Sequence, residues 1–125
     1  MATSIRKFGS VHAEHITTSS FSVDKSSVTQ ITSDATAVTI TEGSGVITLV
    51  TSVLAAGASS TFTVNNPSST VNSVVMGSIA GYSGTTGVPI VRLGNISNGT
   101  FTVTLTNAHG TLALNGIVKV SVLVI

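Results

Sequence analysis

The sequence predicts an all-β protein: an antiparallel β-sandwich, jelly-roll-like, with an extended N-terminal arm. Three observations carry that prediction. From Val28 onward, apolar and hydroxyl-bearing residues alternate with period 2, the repeat of an extended strand. Turn residues (Gly, Asn, Asp, Ser, Pro) punctuate that alternation roughly every 8–12 residues, and no convincing helical period intervenes. The last stretch, Ile117 to Ile125, is apolar on nearly both faces, with only Lys119 and Ser121 polar. A strand of that kind belongs in the middle of a sheet, between covering layers.

Residues 1–26 differ from the rest. They hold Arg6, Lys7, Glu14, Asp24 and Lys25 together with His12 and His15, and their apolar residues follow no period. They are expected to form an arm able to reach roughly 80 Å if fully extended, at ~3.3 Å per residue. The sandwich domain is expected over residues 27–125.

Within it, Val28–Thr32 and Ala37–Ile40 read as short β-branched strands separated by a turn at Ser33–Asp34. Glu42–Gly45 reads as a turn and Val46–Val50 as the next strand. Val53–Gly57 reads as either a single helical turn or a loop. Ser60–Val64 alternates cleanly, with Phe62 and Val64 inward, until Asn65-Asn66-Pro67 stops it. Ser73–Ala80 is a further strand, and Gly81–Gly87 a glycine-rich loop. Pro89 lacks an N–H and can only open the strand Pro89–Leu93. After a turn over Asn95–Gly99, Phe101, Val103 and Leu105 face the core. Thr100, Thr102, Thr104 and Thr106 face outward, which suits a wettable but uncharged pleated surface. Ala108–Gly116 connects to the final strand.

Composition narrows the function classes. Charged residues make up 7% of the chain, against about 25% in an average soluble domain. After Glu42 only Arg92 and Lys119 are charged. Regular Val/Ile/Leu alternation argues against disorder. A lone soluble monomer keeps more surface charge than this. A homo-oligomer is therefore expected, a homotrimer before a dimer, with much of its surface covered. The net charge of +1, the single basic pair Arg6-Lys7 and an aromatic content of 4% give nucleic acid no footprint. Cysteine is absent, which excludes disulfides and thiolate metal sites. Met1–Phe8 has no apolar core of the signal-peptide kind. The run Gly45–Ala58 falls short of the ~20 residues of a membrane span, so no membrane partner is expected.

Several stretches resemble a family of small β-rich virion proteins of tailed phages, cyanophages among them, and of some large DNA viruses. They are VTQITSDATAVTI (28–40), GVITLV (45–50), STFTVNN (60–66), SVVMGSIAGYSG (73–84), GTFTVTLTN (99–107) and GIVKVSVLVI (116–125). The likeness covers residues 27–125 and leaves the arm outside it. It implies a virion part made in the host cytoplasm, either a capsid decoration (cement) protein on the capsid surface or a fibre-tip module. It carries over no catalytic residue.

Candidate sites are few, and each has a plainer alternative. His12-Ala-Glu-His15 offers metal-ligating side chains, but a competent site needs three or four ligands held in fixed geometry. No metal or other cofactor is expected, and the pair reads as part of an arm that meets a partner. Gly81–Gly87 lacks the Lys-Ser/Thr and the following helix of a phosphate loop, and reads as a surface loop. Tyr82 is the only tyrosine and Trp is absent, which leaves little on which to stack a sugar ring. Serines, His109 and Asp24 or Asp34 are present, but no G-x-S-x-G elbow is, and His109 beside Gly110 reads as a turn residue. The chain is not expected to be an enzyme. Asn95-Ile-Ser97 and Asn98-Gly-Thr100 match the glycosylation sequon and read as chance products of an Asn/Ser/Thr-rich chain.

The reading that follows is a viral structural protein, a cement protein stabilising the shell over major capsid subunits. The alternative is a receptor- or glycan-binding fibre tip. The partner-binding residues expected are Arg6, Lys7, Phe8, His12 and His15, all in the arm.

Overall fold

A computed structural model of the chain describes residues 24–125. The expected contacts of Arg6, Lys7, Phe8, His12 and His15 lie outside those residues. The described chain holds eight strands: β1 Lys25–Thr29, β2 Val38–Thr39, β3 Ser44–Thr48, β4 Ser59–Asn65, β5 Val75–Tyr82, β6 Pro89–Ser97, β7 Thr100–Asn107 and β8 Val118–Val124. Among the described residues there is no helix, so Val53–Gly57 is a loop. β1 opens at Lys25, two residues before the expected domain boundary, because Lys25 and Ser26 pair with Ser44 and Gly45 of β3.

Two four-stranded sheets pack face to face, in the orders β1-β3-β8-β5 and β2-β4-β7-β6. The first is called sheet A below and the second sheet B. The chain crosses between them at every connection except the β6–β7 hairpin. Each strand therefore faces its successor across the core rather than pairing with it. One consequence corrects the expectation of a purely antiparallel sandwich. Two successive crossings restore the chain's direction, so β1 runs parallel to β3 and β2 parallel to β4. The other four ladders are antiparallel.

The crossings also sort the loops. β1–β2, β3–β4, β5–β6 and β7–β8 join at one end of the sandwich, called the top here. β2–β3, β4–β5, the β6–β7 turn and the last residue, Ile125, lie at the bottom.

The core is built from the inward half of each strand. Ile47, Val118, Val120, Val122 and Val124 from sheet A meet Val38, Phe62, Val64, Phe101, Val103 and Leu105 from sheet B, with Ile40, Leu49 and Leu114 closing the ends. Phe62, Phe101, Val120 and Val122 are all buried, as the alternation predicts. β8 holds a central position, as its composition predicts. However, only its Val118/Val120/Val122/Val124 face is covered. Lys119 and Ile125 on the other face are exposed, and Ser121 and Leu123 half-buried.

Candidate functional site

Two surfaces stand out from the residues upward: the outer face of sheet A with its β5 edge, and the loop-bearing top.

On sheet A the register lines outward side chains into rows across all four strands. Thr29, Thr48, Lys119 and Gly81 form the top row. Ser27, Val46, Ser121 and Ser78 form the next, and Lys25, Ser44, Leu123 and Met76 the third. Val74 and Ile125 extend the β5–β8 ladder by one more pair, exchanging hydrogen bonds of 3.0 and 2.9 Å. Below Lys119, the part of the face nearest β5 holds no charged side chain. There Val74, Met76 and Ile125 are exposed by 59%, 49% and 71%. With Leu123 they make a continuous apolar strip, beside a shallow groove of about 270 Å³ lined by Met76, Ser78, Ser121 and Leu123. A second groove of about 390 Å³ lies higher, between Thr48, Lys119, Ile117 and the Ala80–Ser83 segment.

β5 is also an edge. Because Val74 and Ile125 form a hydrogen-bonded pair, Met76 and Ser78, two and four residues on, bond to β8 as well. The amides and carbonyls of Val75, Gly77 and Ile79 consequently point away from the sheet. The ladder holds this register until Ala80, where an extra residue bulges it.

The top is different in kind, because polar side chains lock its loops together. Asn107 follows Phe101, Val103 and Leu105 on the inward register of β7 and is fully buried. Its Nδ2 donates to the carbonyls of Leu54 (3.0 Å) and Leu112 (2.8 Å). Its Oδ1 accepts from the amides of Val88 and His109, both at 3.0 Å. All four hydrogen-bonding positions of one carboxamide are filled, and three loops are tied to one point. Asn115 forms a second knot: its Oδ1 accepts from Thr85 N (2.7 Å) and Thr86 N (3.0 Å). The Tyr82 hydroxyl donates to Thr86 O (2.6 Å) and accepts from Asn115 N (2.8 Å). Gly84 and Gly116 touch through their backbones here, and a Cβ on either would collide with the other loop.

These knots explain several expectations. β5 takes Gly81 and Tyr82 from the expected loop, and the remaining surface loop, Ser83–Gly87, does not offer the amides of Thr85 and Thr86 to a phosphate because Asn115 already holds them. The Tyr82 hydroxyl is engaged in the same knot. His109 is a turn residue, its Nδ1 accepting from Thr111 N (3.0 Å) and Leu112 N (2.9 Å). Asp34 sits in the β1–β2 turn and accepts from Ser60 Oγ at 2.9 Å. Among the described residues no three His, Asp or Glu side chains gather in a way that would hold a metal. The large apolar side chains exposed at the top include Ile31, Val53, Val88 and Leu112.

Neither asparagine emerged from the sequence as a structural node. The legible signal was Asn107 occupying an inward register position after three apolar ones. Comparison with protein-family models, curated proteins and solved structures finds no match to this chain.

Proposed function

We propose that the chain is a viral structural protein, a capsid decoration (cement) protein that acts by being covered on both sides. In this reading its sandwich is a jelly-roll-like variant whose chain alternates between the sheets. It assembles as a homo-oligomer on the capsid surface and lies over the junctions of major capsid subunits. Residues 1–26 serve as the arm, with Arg6, Lys7, Phe8, His12 and His15 gripping the shell or a sister subunit.

The virion setting rests on the likeness of the strand motifs. The observation that supports a structural role most directly is the uncharged apolar strip Val74, Met76, Leu123 and Ile125 on an open sheet face. Exposed contiguous apolar surface marks an interaction site. The test is rebinding of the full-length protein to particles stripped of it, with an Arg6→Ala/Lys7→Ala/Phe8→Ala variant alongside. The expected result is saturable binding that raises the particle's disruption temperature, weakened at least tenfold in the variant. Failure of the full-length protein to bind would overturn the cement reading.

The alternative is a receptor- or glycan-binding fibre tip, and one observation favours it. Loops held rigid by Asn107 and Asn115 present Val53, Val88 and Leu112 at one end of the sandwich, and binding loops on a rigid scaffold are a common arrangement. Binding to host cells that is lost in a Val53→Asp/Leu112→Asp variant would select this reading.

A further inference from the structure

We infer that β5 is a homotypic docking edge, at which two copies of this chain pair their β5 strands antiparallel about a twofold axis through Gly77. This rests on the homo-oligomer reading above and specifies its contact.

The four sheet edges differ in how well they are blunted. β1 has Lys25 and is short, and β2 has only two residues. β6 is long, but it opens on Pro89, which has no N–H, and carries Arg92 on its outward face. A bulge before Ser97, with Asn95 at φ 49°, bends its far half. Charge, proline and bulges are the devices that stop edge pairing. β5 has no charged residue and no proline over its eight residues, and its one bulge falls late, at Ala80. Five residues, Val75 to Ile79, are left straight with alternate amides facing outward.

Self-pairing fits this segment in register and in chemistry. Gly77 on the axis would stand opposite Gly77 of the second copy, with Val75 opposite Ile79 on either side. These are the three residues whose main-chain groups face off the edge, so up to six N–H···O=C bonds could form. Gly77 is exposed, which leaves the approach open. Its lack of a side chain also has an internal reason: a Cβ would press on Leu93 of β6 at 3.2 Å. On the outer face Met76 would stand opposite Ser78 of the second copy, joining the two lower half-faces, which hold no charged side chain. Lys25 and Lys119, on β1 and β8, stay off the contact strand, so like charges are not brought together. At about one hydrogen bond per 100–200 Å², six bonds correspond to roughly 600–1,200 Å² of interface. That is at the small end for a specific complex, so the expected dimer dissociates in the micromolar range.

The chain has no cysteine, so engineered pairs report without background. Met76→Cys/Ser78→Cys in the full-length chain would put the two thiols opposite each other across the axis. That is a non-hydrogen-bonded pair, where Cβ atoms approach to about 4.5–5.5 Å. Within one chain the two side chains stand parallel on the strand with Cβ atoms about 6.6 Å apart, beyond the roughly 3.5–4.5 Å that a disulfide needs. In either single variant the two copies' thiols would lie on a diagonal of about 7–8 Å.

Mild oxidation of the double variant should give a reductant-sensitive dimer of the 12.5 kDa chain on a denaturing gel, at least tenfold more than either single variant. An Ile90→Cys/Arg92→Cys pair on β6 should give none. Sedimentation of the unaltered protein should show a dimer at high micromolar concentration. An oligomer that forms without the β5 cross-link, a trimer included, would overturn this inference and leave the homo-oligomer reading standing. A monomer throughout would overturn both.

Discussion

The two outer faces of the sandwich have the same pleat and nearly the same width, yet they end their chemistry differently. On sheet B the outward rows between β4 and β7 are hydroxyl on hydroxyl, with Ile90 and Arg92 beyond them on β6. Ser59 Oγ lies 2.7 Å from Thr106 Oγ1, Thr61 Oγ1 2.8 Å from Thr104 Oγ1, and Ser97 Oγ 2.8 Å from Thr100 Oγ1. Thr102 Oγ1 donates to the carbonyl of Gly94 at 3.0 Å. The side chains satisfy one another across the strands and leave β-branched methyls and spare lone pairs for water. On sheet A the Ser78–Ser121 pair, at 3.0 Å, is the only hydroxyl–hydroxyl bond between strands among the described residues, and below it the β5–β8 side of the face is apolar. Low charge alone does not make a surface sticky. A sparsely charged face can be finished internally, as between β4 and β7 on sheet B, or left to be finished by something else, as between β5 and β8 on sheet A.

The largest effect available is one to which both faces should be indifferent. Phe101 lies beneath sheet B in the shared core, and Phe101→Ala should cost ~3–5 kcal/mol in denaturant unfolding. A change within ±0.5 kcal/mol would mean the inward register is misassigned. Next comes the top, where both sheets' loops meet. Asn107→Ala removes four hydrogen bonds from a buried site and should cost about 4 kcal/mol, with each of the four orphaned partners near the low end of about 1–3. Faster amide exchange at Val88 and His109, the two donors to Oδ1, would identify the knot as the cause. Tyr82→Phe should lose about 1 kcal/mol through the Thr86 and Asn115 bonds.

The faces themselves should give the smallest stability changes and the clearest contrast. A double-mutant cycle on Thr61→Val and Thr104→Val should show a coupling of about 0.2–1 kcal/mol with no change in native mass. Met76→Lys should leave stability within about 0.5 kcal/mol and reduce self-association in light scattering. If Met76→Lys changes stability more than the threonine pair does, the contrast between a finished and an unfinished face is wrong.

Much of the sandwich was legible because alternation reports which side of a strand is buried. Phe62, Val64, Phe101, Val103 and Leu105 needed only their parity, and Pro89 marked its strand's start. Pairing partners were not legible. Nothing in Val28 or Val46 states that β1 and β3 run parallel, because that follows from the chain's crossings between sheets. The final strand illustrates the limit well. Its apolar outward residues signalled a second covering layer, and the sequence could not say whether its own chain would supply it. Among the described residues it does not. Asn107 and Asn115 were hidden for another reason: a carboxamide's value lies in the loops it joins, and those are distant in sequence.

The central place of β8 also bears on the order in which the fold can be made. β8 pairs with β3 on one side and β5 on the other, so before residues 118–124 arrive sheet A consists of two unconnected pieces. The β6–β7 hairpin is the single ladder between strands consecutive in sequence, closed by the Asn98-Gly99 turn. It closes the shortest loop, so it is the ladder with the lowest entropic cost of formation. Sheet A then waits for the last strand to be synthesised and inserted like a keystone. Pairings of such long sequence separation slow folding into the millisecond-to-second range typical of β-sandwiches. During that wait the β3 and β5 edges that β8 will occupy stand open, and crowded nascent chains have their best opportunity to cross-pair.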